Sequence, residues 1–141
     1  MLRGFATVNY FVADLDAAKA WYTEVLGTPP YFDQVPGYVE FRIGDYLDEL
    51  GLVDASYGPE PTEKPAGATI FWHVEDLDAS FERLLSLGAT VNQPRIDYGT
   101  FSTASVVDPF GNVLGIMNNP HYAAIRDRVR PDLAELDTVE V

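Results

Sequence analysis

His73 is one of only two histidines in the chain, and it lies in a run, residues 69–74, whose alternate members Thr69, Phe71 and His73 project to one side of a strand. Histidine is the side chain best suited to exchanging protons at ordinary pH, so His73 can take a proton from a bound molecule or donate a hydrogen bond to it. It can equally be a strand-end residue bonded to a loop. Thr7, Asn9 and Phe11 form the matching side of the run 7–12, opposite the apolar Val8, Tyr10 and Val12. Hydroxyls and an amide on a strand with a buried face need their hydrogen bonds met, which makes Thr7, Asn9 and Thr69 cavity liners or cross-strand partners. Phe11, Phe71, Tyr98, Phe101 and Met117 supply apolar area that suits a wall for a flat organic ligand, and suits core or an interface as well. Trp72, on the opposite parity, is expected in the core.

Several chemistries have no support. The absence of cysteine rules out thiolate nucleophiles, disulfides and Cys-ligated metals. No Gly-rich phosphate loop, Gly-x-Ser-x-Gly or His-Glu-x-x-His is present, which removes phosphotransfer, serine hydrolysis and zincin chemistry. Twenty-two acidic residues against nine basic ones give a formal charge of −13, which repels phosphate backbones and anionic lipid. Neither nucleic acid nor a membrane is an expected partner, whereas solubility or a cationic ligand suits the excess. With 47% hydrophobic residues, no long apolar run and no leader-like segment, the chain reads as a soluble, cytoplasmic protein.

The elements that must position these residues occur twice. Val12-Ala13-Asp14-Leu15-Asp16-Ala17 returns as Val74-Glu75-Asp76-Leu77-Asp78-Ala79, and both following helices close on Leu-Gly, at Leu26-Gly27 and Leu87-Gly88. A repeat of about 60 residues means a duplicated supersecondary unit. Asp14 and Asp76 are N-caps; Leu15, Ala18, Tyr22, Val25 and Leu26 line one buried helix face, and Leu77, Phe81, Leu84 and Leu85 the other. Strands follow at 31–33, 38–43 and 47–53, and again at 90–93, 101–107 and 113–117, the last two joined by the turn Asp108-Pro109-Phe110-Gly111-Asn112. Each unit is βαβββ: residues 1–54 form the first module, 55–67 a linker rich in proline and charge, and 68–118 the second. In the extension, 119–141, a short helix is expected at 120–129 with a loose acidic end beyond Pro131, and His121 and Tyr122 are expected at the surface, docking on the rest of the fold or a second subunit.

Two βαβββ modules, a V-x-D-L-D opening to each helix and a D-P-F-G-N turn before the final strand resemble the vicinal oxygen chelate superfamily, which includes glyoxalase I, bleomycin-resistance proteins and extradiol dioxygenases. The resemblance spans residues 5–118. It implies an α+β fold in which the modules build a curved, cup-shaped mixed sheet with helices outside and ligands on the concave face. It also implies a homodimer, since open sheet edges need covering. Metal-dependent members resemble one another at the start of each module's first strand and in its last strand, where His and Glu stand. Counting along this chain puts Thr7, Glu49, Thr69 and Gly115 at those places; Asn9 and His73 lie nearby. A divalent ion needs about three imidazole or carboxylate groups, which hydroxyls and a glycine do not supply, so no metal and no other cofactor is expected.

The expected function is therefore metal-free binding of a small organic ligand, as the bleomycin-resistance branch implies. The alternative is a glyoxalase- or dioxygenase-like lyase, isomerase or oxidoreductase, metal-dependent or using Glu49 and His73 as a proton-transfer pair. Glu49 would otherwise be a concave-face carboxylate bonded to Thr7 or Asn9. A third reading is a non-catalytic dimer that makes protein contacts through residues 118 onward.

Overall fold

The computed structural model describes residues 1, 5–58 and 69–136. Residues 59–68, most of the expected linker, and the acidic end from 137 lie outside the described residues. Two compact units divide the chain: Met1–Gly67 with Asp108–Asn112, and Ala68–Val107 with Val113–Val141.

In the first unit β1 (Val8–Val12) leads through α1 (Leu15–Leu26) to β2 (Phe32–Gln34), β3 (Tyr38–Ile43) and β4 (Asp48–Asp54), with a 3-10 turn at Ala55–Tyr57. The strands order as β1-β4-β3-β2. β1 runs parallel to β4 and the other pairs are antiparallel, so the sheet is mixed. α1 starts where the Asp14 carboxylate accepts from the Ala17 amide at 3.0 Å and stops at Gly27, whose φ of 66° is left-handed and open to glycine. Leu15, Ala18 and Tyr22 bury against Tyr10, Val12, Phe41, Leu50 and Leu52, while Val25 and Leu26 are only half-buried.

The second unit repeats the plan. β5 (Phe71–His73), α2 (Leu77–Ser86), β6 (Thr90–Asp97), β7 (Ser102–Val107) and β8 (Val113–Asn118) give a mixed sheet ordered β5-β8-β7-β6. Asp76 caps α2 through the Ala79 amide at 2.9 Å. Its buried stripe is narrower than the spacing predicts: Leu77 and Leu84 are buried, Phe81 and Leu85 half-buried, as is Trp72. α3 (Pro120–Val129) follows with Asn119 as N-cap, and α4 (Pro131–Leu136) occupies the start of the segment expected to be loose. Proline at the first helical position sets the φ that α4 needs.

The fold is α+β with two open four-stranded sheets, each with helix packing on one face: α1 on β3 and β4, α2 on β6, β7 and β8. Among the described residues no helix is long and apolar enough to cross a membrane.

Candidate functional site

The face of the first sheet turned away from α1 is polar, and its side chains hold one another. By alternation Asn9, Phe11, Glu49, Gly51 and Val53 share it, and the pairs Glu40↔Gly51, Tyr38↔Val53 and Arg42↔Glu49 bring the polar residues of β3 beside them. Tyr38 Oη lies 3.2 Å from Glu49 Oε1 and 3.3 Å from Glu40 Oε2. Arg42 Nη2 lies 2.9 Å from Glu49 Oε2 and 3.2 Å from Glu40 Oε1. A single hydroxyl proton cannot serve both carboxylates at once, and one guanidinium leaves the pair a net negative charge. Burial, and then the charges of Glu49 and Glu40, push the Tyr38 phenol up to about 12, so it remains a donor at neutral pH. The Thr7 hydroxyl donates to Asn9 Oδ1 at 3.2 Å. Glu49 is thus bonded to Tyr38 and Arg42, not to Thr7 or Asn9 as the sequence suggested.

The equivalent face of the second sheet carries the rows Phe71–Gly115–Ser105 and His73–Met117–Thr103. The His73 imidazole stacks on the Tyr122 ring of α3, centroids 4.4 Å apart and planes 13° off parallel. Tyr122, expected to dock at the surface, docks on this histidine. The His73 side chain is 11% exposed, and both ring nitrogens are buried without a hydrogen-bond partner. Its Nε2 comes within 3.4 Å of the exposed Glu75 carboxylate, an ion-pair distance without hydrogen-bond geometry. Arg126 of α3 approaches the same Glu75 oxygen at 4.0 Å.

The last strand of each module carries a glycine at one register position: Gly51 opposite Asn9, and Gly115 opposite Phe71. A Cβ on Gly51 would collide with Asn9 Oδ1, and one on Gly115 would stand 2.7 Å from the Phe71 ring and 2.8 Å from the Ile70 carbonyl oxygen. The neighbouring strand's side chain fills the space a longer residue would need. This register corrects the residue count: the first-module counterpart of Gly115 is Gly51, and Glu49 sits one pleat earlier, beside the ladder position of Thr7.

Residues 4–116 match the Glyoxalase/Bleomycin resistance protein/Dioxygenase superfamily. The chain belongs to that superfamily. Among solved structures it is similar to protein ATC0852 from Agrobacterium tumefaciens (TM-score 0.71, 19% identity, 84% of this chain and 98% of that one). It is also similar to a glyoxalase-related enzyme from Fulvimarina pelagi (TM-score 0.68, 22% identity, 84% and 90%). A third, lactoylglutathione lyase from Agrobacterium tumefaciens, aligns at TM-score 0.62 with 20% identity over 82% and 92%. A search of curated proteins finds no match.

The resemblance implies metal positions at the start of each module's first strand and in its last strand, which the ladder register places at Thr7, Gly51, Thr69 and Gly115 in this chain. Those residues do not fit the ion. Two have no side chain and two offer a neutral hydroxyl, and the glycine positions lie under Asn9 and Phe71. Among the described residues no three of His, Asp and Glu are grouped to hold a metal.

Of the residues singled out in the sequence, Thr7, Asn9, Phe11 and Glu49 fall in the first unit, and Phe71, His73 and Met117 share the second sheet's face. Thr69 is exposed ahead of β5. Tyr98 and Phe101 stack on each other at 4.8 Å in the β6–β7 turn. Sequence reasoning missed Tyr38, Glu40 and Arg42, although their alternation with the buried Val39, Phe41 and Ile43 was a readable signal. The Tyr122 contact had no local signal, because it joins the extension to a strand far back in the chain.

Proposed function

We propose that this protein binds a small organic molecule on the helix-free faces of its sheets, without a metal, in the manner that resemblance to the bleomycin-resistance branch implies. The observation that carries the reading is the pair of glycines, Gly51 and Gly115, lying under Asn9 and Phe71 where metal-binding relatives need a coordinating side chain. The first face offers an amide, a phenol held protonated and two carboxylates with one guanidinium, which suits a ligand bearing a positive charge. The second offers rings for stacking. A homodimer belongs to the same reading, since β1, β2, β5 and β6 each end a sheet; sedimentation velocity tests it.

A thermal-shift panel of aromatic cations, aromatic acids and divalent metals, each with and without chelator, tests the function. A ligand that binds only the folded state raises the melting temperature by mass action. The expected result is stabilisation by organic compounds that chelator does not change; stabilisation by a metal alone contradicts it.

The enzyme reading draws on the fold neighbours named as a lyase and a glyoxalase-related enzyme. In it Glu49 would act as the base, yet its carboxylate is tied to Arg42 and Tyr38, while His73 is stacked on Tyr122 in the other unit. Glu49→Gln removes turnover of an isomerase substrate if that reading holds.

A further inference from the structure

The two modules treat one position differently. His73 pairs with Met117 as Phe11 pairs with Val53, two residues beyond the glycine pair in each case, so the fold accepts a plain phenyl ring there. Module two instead carries an imidazole whose two nitrogens are buried with nothing to bond, an arrangement that costs stability and calls for a reason. What covers that imidazole is a flat aromatic ring, Tyr122, stacked face to face. Tyr122 stands on a helix with no fully buried residue, joined to β8 through Asn118 and Asn119. Lightly buried terminal elements are the ones that open first.

We propose that Tyr122 is a built-in occupant of an aromatic-ring subsite on His73, and that α3 is the lid a ligand displaces. The ligand class is a flat aromatic ring, which takes Tyr122's place on the imidazole face. Glu75 Oε1 lies 3.4 Å from His73 Nε2 and 4.0 Å from Arg126 Nη1, so α3 closes with its own charged contact beside the stack. The inference rests on the small-molecule reading and gives its second-sheet face a ligand class and a gate.

The test uses the full chain and p-cresol, which has the shape of the displaced side chain. Hydrogen exchange with mass spectrometry reads α3 and β5, and ligand-observed NMR reads affinity. In the wild-type protein, binding should speed exchange of the α3 amides and slow that of β5. Tyr122→Ala, which removes the competitor, should bind p-cresol roughly tenfold more tightly, the order of one aromatic pair, and its α3 exchange should no longer respond. His73→Ala should lose binding in both backgrounds. Wild-type binding that leaves α3 exchange unchanged overturns the lid even if Tyr122→Ala fails to fold, and equal affinity of wild type and Tyr122→Ala overturns the displaced-ring subsite. Organic ligands that stabilise the protein without touching α3 exchange leave the small-molecule reading standing and remove this one; no organic ligand in the panel and no p-cresol binding removes both.

Discussion

Phe11 and His73 hold the same register position in the two modules, and each is covered by the segment that follows its module's last strand. Phe11 lies against Gly58, whose Cβ would stand 2.5 Å from the Phe11 ring, and His73 lies against Tyr122. The scaffold thus needs a ring and a cover at this point, and only module two makes the ring polar. The difference is a departure from the chain's own internal symmetry.

His73→Phe copies module one into module two. It removes two buried unpaired nitrogens and keeps the stack, so the variant should be more stable by about 1 kcal/mol or more, roughly 2–4 °C in melting temperature. Calorimetry checks it; a lower melting temperature would mean that His73 carries a stabilising bond.

The two glycines should respond unequally to a methyl group. At Gly51 the obstacles are the far end of the exposed Asn9 side chain and the Tyr38 ring, which can shift; at Gly115 a backbone oxygen, that of Ile70, stands in the way as well as the Phe71 ring. Gly115→Ala should therefore lose about 2 kcal/mol and Gly51→Ala less than about 1 kcal/mol in denaturant unfolding. Pairing Gly51→Ala with Asn9→Ala should recover most of the smaller loss.

Tyr22 and Asp108 form a buried pair inside the first unit, the phenol donating to Asp108 Oδ2 at 2.5 Å while Oδ1 accepts from the Phe110 and Asn112 amides. Burial raises the Asp108 carboxyl above its ordinary 3.8, with the hydrogen bonds opposing. The folded state then binds more protons than the unfolded one between the ordinary and the raised value, so this group's contribution falls as pH rises through that window. Tyr22→Phe strips one opposing bond: it should cost about 1–3 kcal/mol at neutral pH and steepen that fall, while Asp108→Asn should flatten it. Unfolding free energies across a pH series decide the matter.

Leu47 stands at a φ of 53° in the β3–β4 turn with 64% of its surface exposed. A leucine gains nothing from that exposure and is strained in the left-handed region. Leu47→Gly should stabilise by about 0.5–1 kcal/mol, read by denaturant midpoint.

Much of the fold was legible because its signals are local. The Asp14 and Asp76 caps, the Gly27 stop and the period-2 alternation of Val8, Tyr10 and Val12 act within a few residues of themselves. The site was less legible because register is not local. Gly115 could be counted from the Asp108 turn, but module one has no such turn before β4, so counting reached Glu49 where the ladder gives Gly51. The His73–Tyr122 stack joins a repeat to an extension outside the repeat, and no periodicity reports it. The outward parity of Tyr38 and Arg42 was readable from the buried Val39, Phe41 and Ile43 between and beside them, but their approach to Glu49 is set by the β3–β4 register.

Elemental analysis of protein purified without chelator, with melting curves before and after chelation, tests the central claim most directly. Metal positions that are glycines filled over by Asn9 and Phe71 predict far less than one divalent ion per chain and an unchanged melting temperature. One tightly held ion per chain, with stability lost on chelation, would contradict it.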